Sequence, residues 1–191
     1  MIQRHFLSKF LPKRQSYGYQ EIVNLVYARD VKINVQSLIN FENTTLTIKQ
    51  IFGAALASAY ATKENLLIQV MENEVQNILS ESELKAVKTS ASLMAMNNVY
   101  YRFLHIGDDK EYSQLPAGLR MRGIADHGIE KVDFEIFSLA PSIINGCGMC
   151  IDAHASQLIK HGLTKSQVQM VVKIAAVINS VAQVLVIKNQ E

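Results

Sequence analysis

The chain has 191 residues, 49% of them hydrophobic and 19% charged. That length fits one domain, and that composition excludes a disordered chain. A net charge of +2 gives no reason to expect nucleic acid, three prolines and nine glycines are too few for a turn-dense β-sandwich, and two cysteines exclude a disulfide-dense secreted scaffold.

Residues 1–20 carry Arg4, Lys9, Lys13 and Arg14, with no acid before Glu21. They have neither a secretory apolar stretch nor a small-residue cleavage site, so they read as a basic N-terminal extension and not as a targeting segment. Residues 21–191 read as a single helical domain. Apolar residues from Ile22 to Leu38 predict a first helix. Thr47–Thr62, rich in Ala and Leu, predicts a second, and Asn65–Leu79 a third. Ser80-Glu81-Ser82-Glu83 is a capping box, in which the serine hydroxyl and the Glu83 carboxylate satisfy each other's backbone donors. It starts a helix to about Leu104. Gly107–Gly128 is the loop region. A helix over Val132–Asn145 contains Pro141, which removes a backbone donor and is expected to kink or split it. Another helix runs from Cys147 to Lys160 and stops at His161-Gly162. Thr164-Lys165-Ser166-Gln167 is a second capping box, opening a last helix to Lys188. No uninterrupted apolar run reaches the length of a membrane span, so none is expected.

The two capping boxes have similar surroundings. Leu79-Ser80 and Leu163-Thr164 each end one helix and begin another, and Leu56-Ala57 precedes the first much as Leu139-Ala140 precedes the second. The expected fold is therefore all-α, with a hint of a duplicated helical unit.

Cys147-Gly148-Met149-Cys150 is a C-x-x-C. Alone it admits three readings: half a zinc site, a redox pair, or two inert core cysteines. Zinc needs about four ligands, and His5, His105, His127, His154 and His161 are scattered, so no metal is expected. His154 follows Cys150 by four residues and Cys147 by seven, which puts all three on one helix face. An imidazole one turn from a thiol can take its proton, and a helix start favours the thiolate that results. Glu135 is the candidate partner for His154. It lies within Phe134-Glu135-Ile136-Phe137, where a carboxylate is costly without a partner.

The constellation Glu135-x11-Cys147-x2-Cys150-x3-His154 resembles the signature of the alkyl hydroperoxidase D family, within the carboxymuconolactone-decarboxylase-like superfamily. Met96-Asn97-Asn98-Val99-Tyr100-Tyr101-Arg102, Pro116-Ala117-Gly118-Leu119-Arg120-Met121, Ile144-Asn145-Gly146-Cys147, Ala153-His154 and Tyr27-Ala28-Arg29-Asp30-Val31-Lys32 also resemble family segments. The likeness covers about residues 25–188. It implies the family's duplicated all-α fold, a cytoplasmic homotrimer, and a lipoyl-dependent peroxidase acting on organic hydroperoxides. It implies Cys150 as the peroxidatic cysteine and Cys147 as the resolving one, joined as a redox disulfide. His154 would be the base, relaying protons to Glu135 through a water. Electrons would come from dihydrolipoamide on a lipoylated dihydrolipoamide acyltransferase and pass to a peroxiredoxin, alkyl hydroperoxidase C, with no bound cofactor, metal, membrane or nucleic acid. One departure is Met149, where the family commonly has a second histidine; a thioether carries no proton.

The chemistry is self-consistent. A thiolate attacks the peroxide O–O bond and becomes a sulfenic acid, a neighbouring thiol condenses with it, and an external dithiol reduces the disulfide. No G-x-G-x-x-G follows a strand, so the donor must come from outside. A rival reading is a disulfide reductase or electron adaptor for a peroxiredoxin, with little peroxidase activity of its own. A lactone decarboxylase would need no cysteine pair. A binding module would bury both cysteines unreactive.

Other residues read as structure. Asn97-Asn98 would satisfy polar groups in the core or at a subunit contact, with Tyr100, Tyr101 and Arg102 beside them. Met94, Met96, Met121 and Met149 read as filler. His105 and His127 read as surface residues and His161 as a helix-end residue. Glu72, Glu74, Glu81 and Glu83 read as a solvated face.

Overall fold

The computed structural model describes residues 26–39 and 46–190. The basic extension over 1–20 and the expected helical start over 21–25 lie outside the described residues. Among the described residues the fold is all-helical, without strands. A 3-10 turn, Val26–Ala28, leads into α1 (Arg29–Ile39). Then come α2 (Ile48–Thr62), α3 (Asn65–Val75), α4 (Glu81–Ile106), α5 (Lys131–Ile144), α6 (Gly148–Lys160) and α7 (Lys165–Lys188).

Local chemistry sets the starts. Ser80 and Thr164 form the two expected capping boxes, and Thr47 forms a third with Gln50 at the head of α2. Each such cap contributes about 1 kcal/mol. α3 stops at Val75, short of Leu79, because the Ile78 and Leu79 amides both turn back to the Val75 carbonyl. That turn frees Ser80 to take the extended backbone its cap requires. The Gly107–Gly128 region carries two 3-10 turns, Lys110–Gln114 and Arg122–Ile124.

Two matching units result. Helices α2, α3 and α4 have 15, 11 and 26 residues; α5, α6 and α7 have 14, 13 and 24. The third helix of each unit opens on a capping box. The packing is reciprocal: α2 lies on α7, α5 lies on α4, and α2 and α5 pack on each other. The core they enclose includes Leu56, Met71, Val87, Ile136, Phe137, Leu139, Leu158 and Ile174, all buried. A fully buried side chain of this size contributes about 1.5–3 kcal/mol. At the α2–α5 contact Gly53 lies under the Phe137 ring, where any Cβ would collide with it.

By length and composition alone, α7 is long and apolar enough to cross a membrane, contrary to the expectation that no segment qualifies. Within the fold it supplies Val171, Ile174, Ala175, Ile178, Ala182 and Leu185 to the core, while Val172, Val186 and Ile187 are exposed.

Candidate redox-active site

The site begins at the end of α5. Gly146 takes φ +66°, a left-handed conformation that glycine adopts without steric cost. Its amide bonds to the Ile143 carbonyl at 3.1 Å, and the Cys147 amide bonds to the Ser142 carbonyl at 3.2 Å. This is a Schellman ending. It delivers Cys147, three residues past the last residue of α5, as the N-cap of α6. Pro141 does not split α5. It sits in the final turn, and its own carbonyl still accepts from Asn145 at 2.9 Å, so the donor it lacks interrupts the helix only one turn before its end.

Cys147 and Cys150 are joined as a disulfide, with Cα atoms 5.3 Å apart. The Cys147 sulfur also accepts from the Cys150 amide at 3.3 Å. Cys147 is completely buried and Cys150 is 6% exposed. The pair is thus largely shielded, because α4 and α5 both pack against α6.

Glu135 projects from α5 and is 6% exposed. Its Oε2 lies 2.6 Å from His154 Nδ1, both side chains being largely buried. The contact is direct, where a bridging water was expected: α5 and α6 pack closely enough that nothing is needed between them. Such a bond holds the ring at one nitrogen and fixes its orientation. The other nitrogen, Nε2, faces Met94 Sδ at 3.3 Å. The structure therefore brings Glu135 to His154 and Cys147 to Cys150, and neither imidazole nitrogen of His154 is hydrogen-bonded to a sulfur of the disulfide. Met94 is buried, as filler would be, but its place against His154 was not foreseen. It comes from a helix sixty residues away, and no local spacing signals it.

The carboxymuconolactone decarboxylase family profile matches residues 110–187. The alkyl hydroperoxide reductase AhpD of Coxiella burnetii (strain RSA 493 / Nine Mile phase I) is 53% identical over 165 residues, covering 86% of this chain and 93% of its own length. The alkyl hydroperoxide reductase AhpD of Maricaulis maris (strain MCS10) is 48% identical, covering 83% and 91%. That of Hyphomonas neptunium (strain ATCC 15444) is 47% identical, covering 83% and 87%. The chain belongs to the alkyl hydroperoxide reductase AhpD family. The duplicated all-α architecture is the AhpD type, and the profile match falls on the second unit, which holds the cysteine pair.

Polar residues of α4 brace this AhpD-type site. Asn98 Nδ2 donates to Ser142 Oγ at 3.0 Å, and Asn145 Nδ2 donates to Asn98 Oδ1 at 2.9 Å. Arg102 Nη1 donates to the Asn145 carbonyl at 2.6 Å. Asn98 thus locks the end of α5, and Arg102 serves the same network. Asn97 is also buried, and its Oδ1 has no hydrogen-bond partner. The expected structural role holds for Asn98 but leaves the Asn97 oxygen unexplained.

Two surface readings need correction. His127 is half-buried, stacked on Phe134 with centroids 4.4 Å apart, and its Nδ1 accepts from the Ile129 amide. His105 is exposed as expected, but its ring lies against Gly148: a Cβ there would sit 3.4 Å from Nε2. The acidic face is not merely solvated. Glu72 accepts from Tyr60 Oη at 2.5 Å and pairs with Lys88. Burial, then the Glu72 contact, pushes the Tyr60 phenol well above its ordinary range. Glu83 pairs with Lys49 at 2.8 Å while capping α4. Among the described residues no cluster of three or more His, Cys, Asp or Glu could hold a metal.

Proposed function

We propose that the chain is an alkyl hydroperoxide reductase that uses the Cys147–Cys150 pair as its redox centre. The observation that carries this reading is the disulfide at the head of α6 with the buried Glu135–His154 pair one turn further on. The names of its close relatives support the same activity.

In the reduced state His154 takes the Cys150 proton, and Glu135 stabilises the imidazolium that forms. The Cys150 thiolate attacks one oxygen of the hydroperoxide. The O–O bond breaks, the alcohol leaves with a proton, and Cys150 becomes a sulfenic acid. The Cys147 thiol then attacks that sulfur, water leaves, and the disulfide forms. The helix start assists the thiolate. Dihydrolipoamide, carried on a lipoylated dihydrolipoamide acyltransferase, returns the two electrons, and a peroxiredoxin of the alkyl hydroperoxidase C type can receive them. We place the enzyme in the cytoplasm as a homotrimer. Val99, Phe103 and Ile106 form an exposed apolar stripe at helical spacing on α4, as an interface between copies would.

One observation favours a second reading. Met149 stands exposed between the cysteines and cannot carry protons. Peroxide attack would then be slow, and the protein would act chiefly as an electron adaptor for the peroxiredoxin.

The deciding experiment is a free-thiol count on the reduced protein before and after one equivalent of cumene hydroperoxide, repeated with dihydrolipoamide. Rapid loss of both thiols, reversed by dihydrolipoamide and absent in Cys150→Ser, is expected. Cys147→Ser should stop after one turnover as a sulfenic acid. Persistence of both thiols, with oxidised peroxiredoxin still reduced, would move the protein to the adaptor reading.

A further inference from the structure

Thiol–disulfide exchange moves protons as well as electrons, and the site described above has no free proton carrier on the disulfide. His154 has both nitrogens engaged, Nδ1 on Glu135 and Nε2 on Met94. The Met149 thioether carries no proton. His127 is tied to Ile129 and stacked on Phe134, and His161 caps the far end of α6.

His105 differs. It stands in the last turn of α4, its side chain is exposed, and among the described residues neither ring nitrogen has a hydrogen-bond partner. A Cβ on residue 148 would lie 3.4 Å from its Nε2 and 3.7 Å from its Cδ2. The nitrogen-bearing edge of the ring therefore faces the first residue of α6, which is covalently bonded to Cys147. Met94 and His105 are eleven residues apart, about three helical turns, and so share one face of α4. That face meets α6 at both ends of the redox segment, Met94 at His154 and His105 at Gly148. Nearby charged groups are engaged elsewhere. Arg102 donates to Asn145, Lys110 to the Gly107 carbonyl, and Asp109 caps Glu111. Asp108 and, on α6, Asp152 are exposed carboxylates.

We propose that His105 is the proton shuttle for reduction of the disulfide, an inference that rests on reading Cys147–Cys150 as redox-active. His105 takes the proton of the first thiol of an incoming dithiol. The resulting thiolate attacks Cys150, the one sulfur-bearing residue of the pair with exposed surface. The protein S–S bond breaks, its electron pair goes to Cys147, and Cys147 receives the proton from His105. The neutral ring then takes the proton of the second donor thiol. That thiolate attacks the donor sulfur attached to Cys150, closes the donor's disulfide and releases Cys150, which takes the second proton. Two electrons and two protons pass from the dithiol to the protein.

The test uses the oxidised full-length chain and dithiothreitol, following the appearance of free thiols between pH 6 and pH 8. His105→Gln should reduce at least about tenfold more slowly at pH 7, with a flatter pH profile and an unchanged melting temperature. His105→Ala should be slowed similarly and be rescued in proportion to added imidazole, a response that a packing role would not give. A parent-like rate in His105→Gln, or a defect in His105→Ala that imidazole does not repair, would overturn the proposal. No peroxide enters this assay. A parent that dithiothreitol reduces normally but that ignores cumene hydroperoxide would defeat the peroxidase reading and leave the role of His105 standing.

Discussion

Met94 Sδ lies 3.3 Å from His154 Nε2. A thioether is a weak acceptor, yet here it occupies the nitrogen that would serve Cys150. In the disulfide form there is no thiol to serve, and the ring rests on Met94. In the reduced form the two sulfurs compete for the same nitrogen. Met94→Leu conserves volume and removes one competitor. A hydrophobic swap of this kind costs less than about 1.5 kcal/mol. The expected result is faster alkylation of reduced Cys150 by iodoacetamide at pH 7, with a melting temperature close to the parent's. An unchanged rate would mean that Met94 does not hold the ring away from the thiol.

The Glu135 carboxylate is buried and spends its Oε2 on His154. Glu135→Gln keeps the shape and removes the charge that stabilises an imidazolium. Removing one partner of a buried pair is costly, but an imidazole, unlike an ammonium or guanidinium, need not carry a charge when its partner is removed. The loss should therefore appear in rate more than in stability. Thiol loss on adding cumene hydroperoxide should slow by at least about tenfold, measured in a stopped-flow thiol assay. A rate equal to the parent's would remove Glu135 from the mechanism.

What the sequence made legible follows distance along the chain. Ser80 with Glu83 and Thr164 with Gln167 are three residues apart, so their capping boxes are local events that the structure contains as read. Cys147, Cys150 and His154 share one helix, so their common face follows from its periodicity. Glu135 was visible because a carboxylate among Phe134, Ile136 and Phe137 calls for a partner. Met94 and His105 carried no such signal. They reach α6 only because α4 packs across it, and nothing near either residue announces that crossing. Pro141 shows the opposite limit: a local rule foresees the lost donor but not that the helix ends three residues later, so no following segment is left to split off.

Gly53 and Phe137 carry the contact between the two helical units. Because any Cβ at 53 meets the Phe137 ring, Gly53→Ala must push α2 and α5 apart or turn the ring. Overpacking of this kind costs about 1–3 kcal/mol, which for a chain of this size lowers the melting temperature by several degrees. Phe137→Leu alone should also destabilise, by leaving space. The double variant should lose less than the sum of the two, because the smaller side chain makes room for the added methyl. Calorimetry on the four proteins measures this coupling, and strict additivity would show that the two residues do not limit the approach of the helices.

Glu83 links the start of α4 to the start of α2. Burial raises its carboxyl pKa, but the Lys49 ammonium and the backbone and hydroxyl of Ser80 outweigh that, so it lies below the ordinary 4.5. A carboxylate with a depressed folded-state pKa contributes stability that is complete above its unfolded value and lost as pH falls through the folded one. Glu83→Gln should therefore melt below the parent at pH 7. The difference should hold down to about pH 5 and shrink below pH 4.5, as the parent's own carboxylate becomes protonated. Lys49 is half-exposed, so its share of the effect should weaken with added salt, whereas the hydrogen bonds to Ser80 should persist. Thermal melts of both proteins from pH 3 to pH 7, at low and high salt, separate the two contributions. A gap between the curves that stays constant across the whole range would show that Glu83 acts through packing and not through its charge.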